Sequence, residues 1–138
     1  MIVGGTAFFW NIDDHPRFVI SDPELNPLKI VHVNVTTFRP RTANKIQAMK
    51  DAIADPACIL DRGEHPLLTA EKSCVYYVGA RHCSAAEFED KIEKGLWRVH
   101  DIPASELVLL KMRRGATTTL HLEQQYEDIL RDQGLHPL

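Results

Sequence analysis

The sequence lacks the features that mark several common classes of protein. It has three cysteines in 138 residues, Cys58, Cys74 and Cys83, a sparse and odd-numbered set that does not suit a disulfide framework. These cysteines and the neighbouring His82 do not repeat a zinc-ligand spacing. No run approaches the roughly 18 apolar residues of a membrane span. We therefore expect no membrane segment, no structural metal and no cofactor.

The chain also lacks an excess of positive charge. Its 16 Lys and Arg residues are outnumbered by 19 Asp and Glu, which gives a formal net charge of −3 at pH 7. Because phosphate contacts dominate the affinity of nucleic-acid-binding proteins, this balance counts modestly against RNA as a ligand and leaves room only for a local basic patch. The apolar N-terminus carries no Lys or Arg before Arg17, unlike the basic start of a signal peptide. We expect a cytoplasmic protein.

What the sequence does contain is a series of short strands followed by helices. Runs of β-forming residues between turn residues predict strands at 6–10, 17–21, 29–37, 58–61 and 73–81. In the third strand Val31, Val33 and Val35 alternate with polar residues, so the valines are predicted to be buried and the polar residues to lie on the opposite face.

Apolar periodicity and capping signals predict four helices, at 42–54, 85–94, 105–114 and 120–132. Ser84 and Glu87 give the second helix a capping box, and the third offers Leu107, Leu110 and Met112 for burial. Strands followed by helices indicate one α+β domain over 1–138. We predict a strongly bent antiparallel sheet or a small barrel within 4–95 and a helical C-terminal extension over 96–138.

Three features lie at strand ends and turns, where rigid scaffolds usually display functional groups. His15 and its proline precede the second strand, Thr36 and Thr37 end the third, and His65 with its proline follows a glycine turn. Two histidines can act as base and acid in cleaving an RNA phosphodiester, because imidazole titrates near neutrality. The competing interpretation is that the histidines belong to turns and the threonines are ordinary strand residues.

The order of these elements resembles that of the MazF/PemK toxin family, whose members are ribonucleases with an SH3-like barrel. The resemblance covers roughly residues 4–95. It consists of His-Pro-Arg-Phe-Val-Ile at 15–20, the valine-rich strand that ends in Thr37, and the strand from Ser73 to Arg81 that leads into a helix. It implies a toxin-like, metal-independent endoribonuclease acting on single-stranded RNA, with a cognate antitoxin or other protein partner and a homodimer among the expected assemblies.

The sequence departs from the family pattern at one important position. The family's catalytic arginine precedes the proline, and here that position is His15. The family's threonine corresponds best to Thr37, but strand alternation places Thr36 on the polar face, so both alternatives stay open. The chain is also similar to small bacterial and phage proteins in its His-Pro pairs, its Asn-Val-Thr-Thr strand end and its Ser-led strand, which favours grouping these residues in one site.

We therefore predict a single site without a metal. Its catalytic residues are His15, Thr37 and His65, and its substrate-binding residues are Arg17, Asn34, Thr36, Ser73 and Arg81. In this hypothesis one histidine takes the proton of the 2′-hydroxyl, the other protonates the leaving oxygen, and an arginine stabilises the charged phosphorus. One alternative is a catalytically silent protein-binding or regulatory module on the same barrel, favoured by the negative charge and the missing arginine. The other is a metal-dependent hydrolase, indicated only by scattered histidines.

Overall fold

The computed structural model describes residues 2–11 and 15–135, which form an α+β fold. The elements in chain order are β1 (Ala7–Trp10), β2 (Arg17–Val19), β3 (Ile30–Thr37), α1 (Lys45–Met49), a 3-10 turn (Ala52–Ala54), β4 (Ile59–Asp61), β5 (Lys72–Cys83), α2 (Ala85–Glu93), β6 (Trp97–Val99), α3 (Glu106–Thr118) and α4 (Gln124–Asp132). None of the helices in the described ranges is long and apolar enough to cross a bilayer.

The strands form one six-stranded sheet in the order β4-β5-β3-β2-β1-β6. Every neighbouring pair is antiparallel, and the central pair of β3 and β5 runs from Ile30 opposite Cys83 to Thr37 opposite Ser73. The prediction of a bent antiparallel sheet is confirmed. The described strands do not close into a barrel, because β4 and β6 each pair on one side only.

Two sequence predictions of local structure are corrected. The strand β6 lies in the segment expected to be purely helical, and it pairs with β1 through Phe8 opposite Val99. The helix expected at 42–54 is interrupted, because the Asp51 side chain accepts a hydrogen bond from the backbone N–H of Ile53 and starts a separate 3-10 turn. The capping box at the start of α2 is present as predicted, with Ser84 and Glu87 bonded reciprocally.

The main hydrophobic core lies between one face of the sheet and the two C-terminal helices. Val31, Val33 and Val35 are at most 2% exposed, as predicted, and pack in the same cluster as buried side chains of α3 and α4. The prediction for the buried face of α3 is confirmed for Met112 and wrong for Leu107 and Leu110, which are exposed. The buried residues of this helix are Val108, Met112, Gly115 and Ala116.

A second, aromatic core covers part of the opposite face of the sheet. Phe8, Val19 and Ile30 pack there against Phe88 of α2, with Trp97 partly buried beside them. The rings of Phe8 and Phe88 meet edge to face at 4.9 Å between centroids. The inner strands are therefore covered on both faces, which matters for the polar residues described below.

Gly115 marks the closest approach of α3 to the sheet. A Cβ atom at this position would lie 2.2 Å from the Tyr77 hydroxyl and 2.7 Å from Cβ of Cys58. We predict that Gly115→Ala lowers the free energy of unfolding by about 1–3 kcal/mol, because overpacking outweighs the better helix propensity of alanine. Urea denaturation of this variant, with Thr117→Ala in the same helix as control, measures the effect. A Gly115→Ala protein as stable as the wild type would contradict the packing described here.

Candidate functional site

A small groove lies where the C-terminal end of β3 meets the N-terminal end of β5. We call it the Thr37 groove. It has a volume of about 150 Å³ and is lined by His15, Pro16, Val35, Thr36, Thr37, Leu67, Leu68, Thr69, Ala70 and Ser73. Four of the eight residues predicted from the sequence, His15, Thr36, Thr37 and Ser73, therefore lie around one depression although they come from three separate chain segments.

Backbone hydrogen bonds hold these segments together. Pairing of β3 with β5 sets Thr37 opposite Ser73. The backbone N–H of Val35 donates to the carbonyl of Pro16 at 3.0 Å, which holds the segment containing His15 against β3. The remaining wall, residues 67–70, is the turn after β4. The groove is thus anchored on the central strand pair, and its position follows from the sheet register.

The lining of the groove is rich in hydrogen-bonding groups. The lining residues include the exposed His15 and four residues that carry hydroxyl groups, Thr36, Thr37, Thr69 and Ser73. Ser73 is 4% exposed. None of the described lining residues is a lysine or an arginine. The groove can therefore offer hydroxyl hydrogen bonds and one imidazole to a ligand. Thr69 was not predicted from the sequence as a site residue, although it lies just after the His65-Pro66 pair, whose histidine was predicted as one.

His65 does not line this groove. Its side chain is buried, with its Nε2 atom 2.7 Å from the carbonyl oxygen of Ile102 and its Nδ1 accepting a hydrogen bond from the backbone N–H of Leu67 at 3.1 Å. Burial lowers the pKa of His65, and the charge of His100 acts in the same direction. Since both ring nitrogens bond to the backbone, this imidazole stabilises the turn that forms one wall of the groove.

Arg17 is directed into the sheet instead of into the groove. It is 3% exposed, its Nε donates to Nδ1 of His32 at 2.9 Å, and its Nη2 donates to the carbonyl of Gly79 at 2.8 Å. Its guanidinium carbon also lies 4.2 Å from the centre of the Trp10 ring, a cation–π distance. The structure therefore does not bring Arg17 to the site for which the sequence predicted it.

His32 is the neutral partner of this buried arginine. Its ring is 1% exposed and lies edge to face with Phe8, Trp10 and Trp97. Burial lowers the pKa of His32 well below its usual value, and the positive charge of Arg17 lowers it further. Because Nδ1 accepts the bond from Arg17, the proton of the neutral ring must be on Nε2.

The two other predicted substrate-binding residues also lie outside the groove. Asn34 is half-buried opposite Arg17 in the sheet, and no donor among the described residues reaches its Oδ1. Arg81 is exposed on β5 and donates to the carbonyls of Val78 and Ala80. Neither side chain is in a position to contact a ligand bound in the Thr37 groove.

The cysteines are not suited to nucleophilic chemistry. All three are buried, and burial raises the pKa of Cys58 and of Cys74 to about 12. Within the described part of the chain, no three His, Cys, Asp or Glu side chains are grouped so that they could hold a metal ion.

Comparison of the chain with protein-family models, with curated proteins and with solved structures finds no match. The resemblance to the MazF/PemK toxins therefore rests on the sequence features quoted above.

The buried histidines generate a prediction about stability and pH. A histidine whose pKa is lowered in the folded state binds fewer protons there than in the unfolded chain, so stability is lost as pH falls below about 6.5, the usual histidine pKa. We expect the free energy of unfolding to fall between pH 7.5 and 5.5 with a slope of up to about 1.4 kcal/mol per pH unit from His32. His65 contributes in the same direction.

Urea denaturation at several pH values measures this slope. His32→Asn keeps an acceptor for Arg17 but cannot titrate, so it should reduce the slope even if it lowers stability overall. Val33→Ala, on the same strand, should lower stability and leave the slope as in the wild type. An unchanged slope in His32→Asn would contradict the neutral state assigned to His32.

Proposed function

We propose that this protein is a toxin-like, metal-independent endoribonuclease that cleaves single-stranded RNA in the Thr37 groove. One observation carries the proposal: residues singled out in the sequence from separate segments, His15, Thr36, Thr37 and Ser73, line the same depression. An imidazole beside several hydroxyls is a combination that can hold a phosphodiester and move a proton at it. The resemblance to the MazF/PemK family supports the same reaction, with single-stranded RNA as the substrate.

The reaction requires the transfer of one proton. The 2′-hydroxyl oxygen attacks phosphorus and forms a bond, the bond from phosphorus to the 5′-oxygen breaks, and the products are a 2′,3′-cyclic phosphate and a 5′-hydroxyl end. The proton leaves O2′ and is finally carried by O5′. His15 can accept it in the first half of the reaction and return it in the second, so one imidazole suffices.

The hydroxyls have a different role in this proposal. Ser73 and one of the two threonines, Thr36 or Thr37, hold the non-bridging phosphate oxygens by donating hydrogen bonds, because neighbouring side chains of a strand point to opposite faces. His65 is assigned to holding the wall turn, since its ring nitrogens already bond to the backbone. Arg17 and Arg81 are left out of the machinery because their guanidinium groups are engaged elsewhere.

The second candidate function is a protein-binding or regulatory module that does not catalyse any reaction. It is favoured by the absence of a cationic side chain among the described lining residues, since a charged phosphorane gains most from a cation.

A toxin would work in the cytoplasm with a cognate antitoxin, and we propose that location here. The free cysteines are consistent with a reducing compartment.

The test is cleavage of a fluorescent single-stranded RNA in the presence of a chelator. We expect His15→Ala to lower the cleavage rate by on the order of 10²-fold or more, with little change in melting temperature, because His15 is exposed. Added imidazole should restore part of the activity. His82→Ala removes an exposed histidine of β5 outside the groove and should cleave at the wild-type rate.

Two results would overturn the proposal. A wild-type protein that binds RNA without cleaving it would leave the silent binding module as the function. If His15→Ala cleaves RNA at the wild-type rate, His15 is not needed for the reaction, and the proposed mechanism has no other imidazole at the reacting atoms.

A further inference from the structure

The segment that follows the Thr37 groove has an unusual charge. Residues 38–50 contain four cations, Arg39, Arg41, Lys45 and Lys50, and no aspartate or glutamate. The whole chain has a formal charge of −3, so the rest of the chain carries −7. The local basic patch for which the overall charge left room is therefore present, in one short segment that begins directly after Thr37.

These four cations are displayed at the surface. All four residues are exposed. The one salt bridge they make with a described carboxylate joins Nε of Arg41 to Oδ2 of Asp51 at 3.8 Å, which is a loose and exposed contact. The charges are therefore available to an anionic ligand without the disruption of strong internal pairs.

Three depressions follow one another along this part of the chain. Thr37, which lines the first groove, also lines a second depression of about 390 Å³ together with Phe38, Arg39, Pro40, Glu71 and Lys72. A third, of about 380 Å³, is lined by Arg41, Thr42, Gln47, Lys50, Asp51 and Ala52. The surface thus continues from the hydroxyl-rich groove into two hollows. The second carries Arg39 beside Glu71 and Lys72, and Lys72 is already paired with Asp61 at 2.6 Å. The third carries Arg41 and Lys50 beside Asp51.

The ligand that matches this surface is a single strand of nucleic acid. Its phosphates present one negative charge per nucleotide along an extended line, whereas a single phosphate would occupy only one hollow. Phe38 adds a half-buried aromatic side chain to the second hollow, where a base can stack. Positive grooves with interleaved aromatic side chains are the usual solution for binding single strands.

We propose that residues 38–50 form a basic track that binds the RNA strand on one side of the scissile phosphate. The inference rests on the proposed function for its choice of RNA, and it extends that function from the reacting phosphate to the neighbouring nucleotides. The track supplies the cations that the Thr37 groove lacks. Affinity therefore comes mainly from the track, and chemistry comes from the groove.

The experiment separates binding from cleavage. The probe is a short, fluorescein-labelled single-stranded RNA with methylated 2′-oxygens, which cannot be cleaved because no 2′-hydroxyl remains to attack. Its binding is followed by fluorescence anisotropy at several salt concentrations. The track variant replaces Arg39, Arg41, Lys45 and Lys50 by glutamine. The control variant makes the same change at four other exposed cations and so alters net charge equally: Lys29, Arg62, Lys94 and Arg114.

We expect the track variant to bind the probe at least about tenfold more weakly than the control variant does. For the track variant, the slope of log Kd against log salt concentration should become shallower by about 0.7 for each phosphate that no longer pairs with a cation. On cleavable RNA, the KM should rise while kcat stays near the wild-type value. Circular dichroism and the melting temperature verify that both variants are folded.

Three outcomes would overturn the inference: equal weakening in both variants, unchanged affinity and KM in the track variant, or no binding of the probe by the wild type. Binding to vesicles of phosphatidylcholine and phosphatidylserine in place of RNA would assign the same cations to a membrane surface. A wild type that binds the probe through the track but cleaves no RNA would refute the proposed catalysis and leave the track standing.

Discussion

The buried guanidinium of Arg17 is the constraint on which the rest of the sheet depends. A charge removed from water costs several kcal/mol unless it is surrounded by well-placed partners. Arg17 finds them on three other strands: the ring of Trp10 on β1, Nδ1 of His32 on β3 and the carbonyl of Gly79 on β5. Each partner must keep its place, and for His32 this includes remaining neutral.

The contacts of Arg17 lie next to a shift in the pairing register of β3 and β5, and this shift affects the position of the site. The register shifts between His32, which lies opposite Arg81, and Asn34, which lies opposite Tyr76. The extra residues of β5 include Gly79, where a Cβ atom would lie 2.2 Å from Oδ1 of Asn34. Beyond this bulge the pairing resumes and ends with Thr37 opposite Ser73. The register beyond the bulge thus sets which residue of β5 lies beside Thr37.

Much of this fold could be predicted from the sequence, wherever residues close together in the chain mark one buried face or one end of an element. The alternating valines of β3 and the capping box of α2 are such signals, and both predictions are confirmed. Alternating polar and apolar residues identify the buried face of a strand only when the opposite face is exposed. Here both faces are covered, so the pattern could not show that Arg17 and His32 face an aromatic core. In α3 the buried face contains Gly115, at which the helix approaches Tyr77 and Cys58 closely, and apolar spacing alone does not report such an approach.

The same reasoning explains what could be predicted of the site. That His15, Thr36, Thr37 and Ser73 lie around one depression could be anticipated because strand ends and turns can be recognised in a sequence. The role of His65 in holding a wall turn depends on the carbonyl of Ile102, 37 residues away, which no local pattern reports. The acid-free run at 38–50 was present in the sequence but was hidden by a net charge averaged over the chain. Charge has to be mapped before it is used to exclude a ligand.

The proposed cleavage and the basic track together require a nucleic-acid strand that lies in the Thr37 groove and continues over residues 38–50. Nuclear magnetic resonance of the ¹⁵N-labelled protein during titration with the methylated RNA probe tests it most directly. If the strand lies there, the largest backbone amide shifts fall at Thr36, Thr37 and Ser73 and within 38–50. Shifts concentrated instead around the apolar hollow between α2 and β6, which is lined by Phe88, Ile92 and Val99, would contradict it. So would an unchanged spectrum.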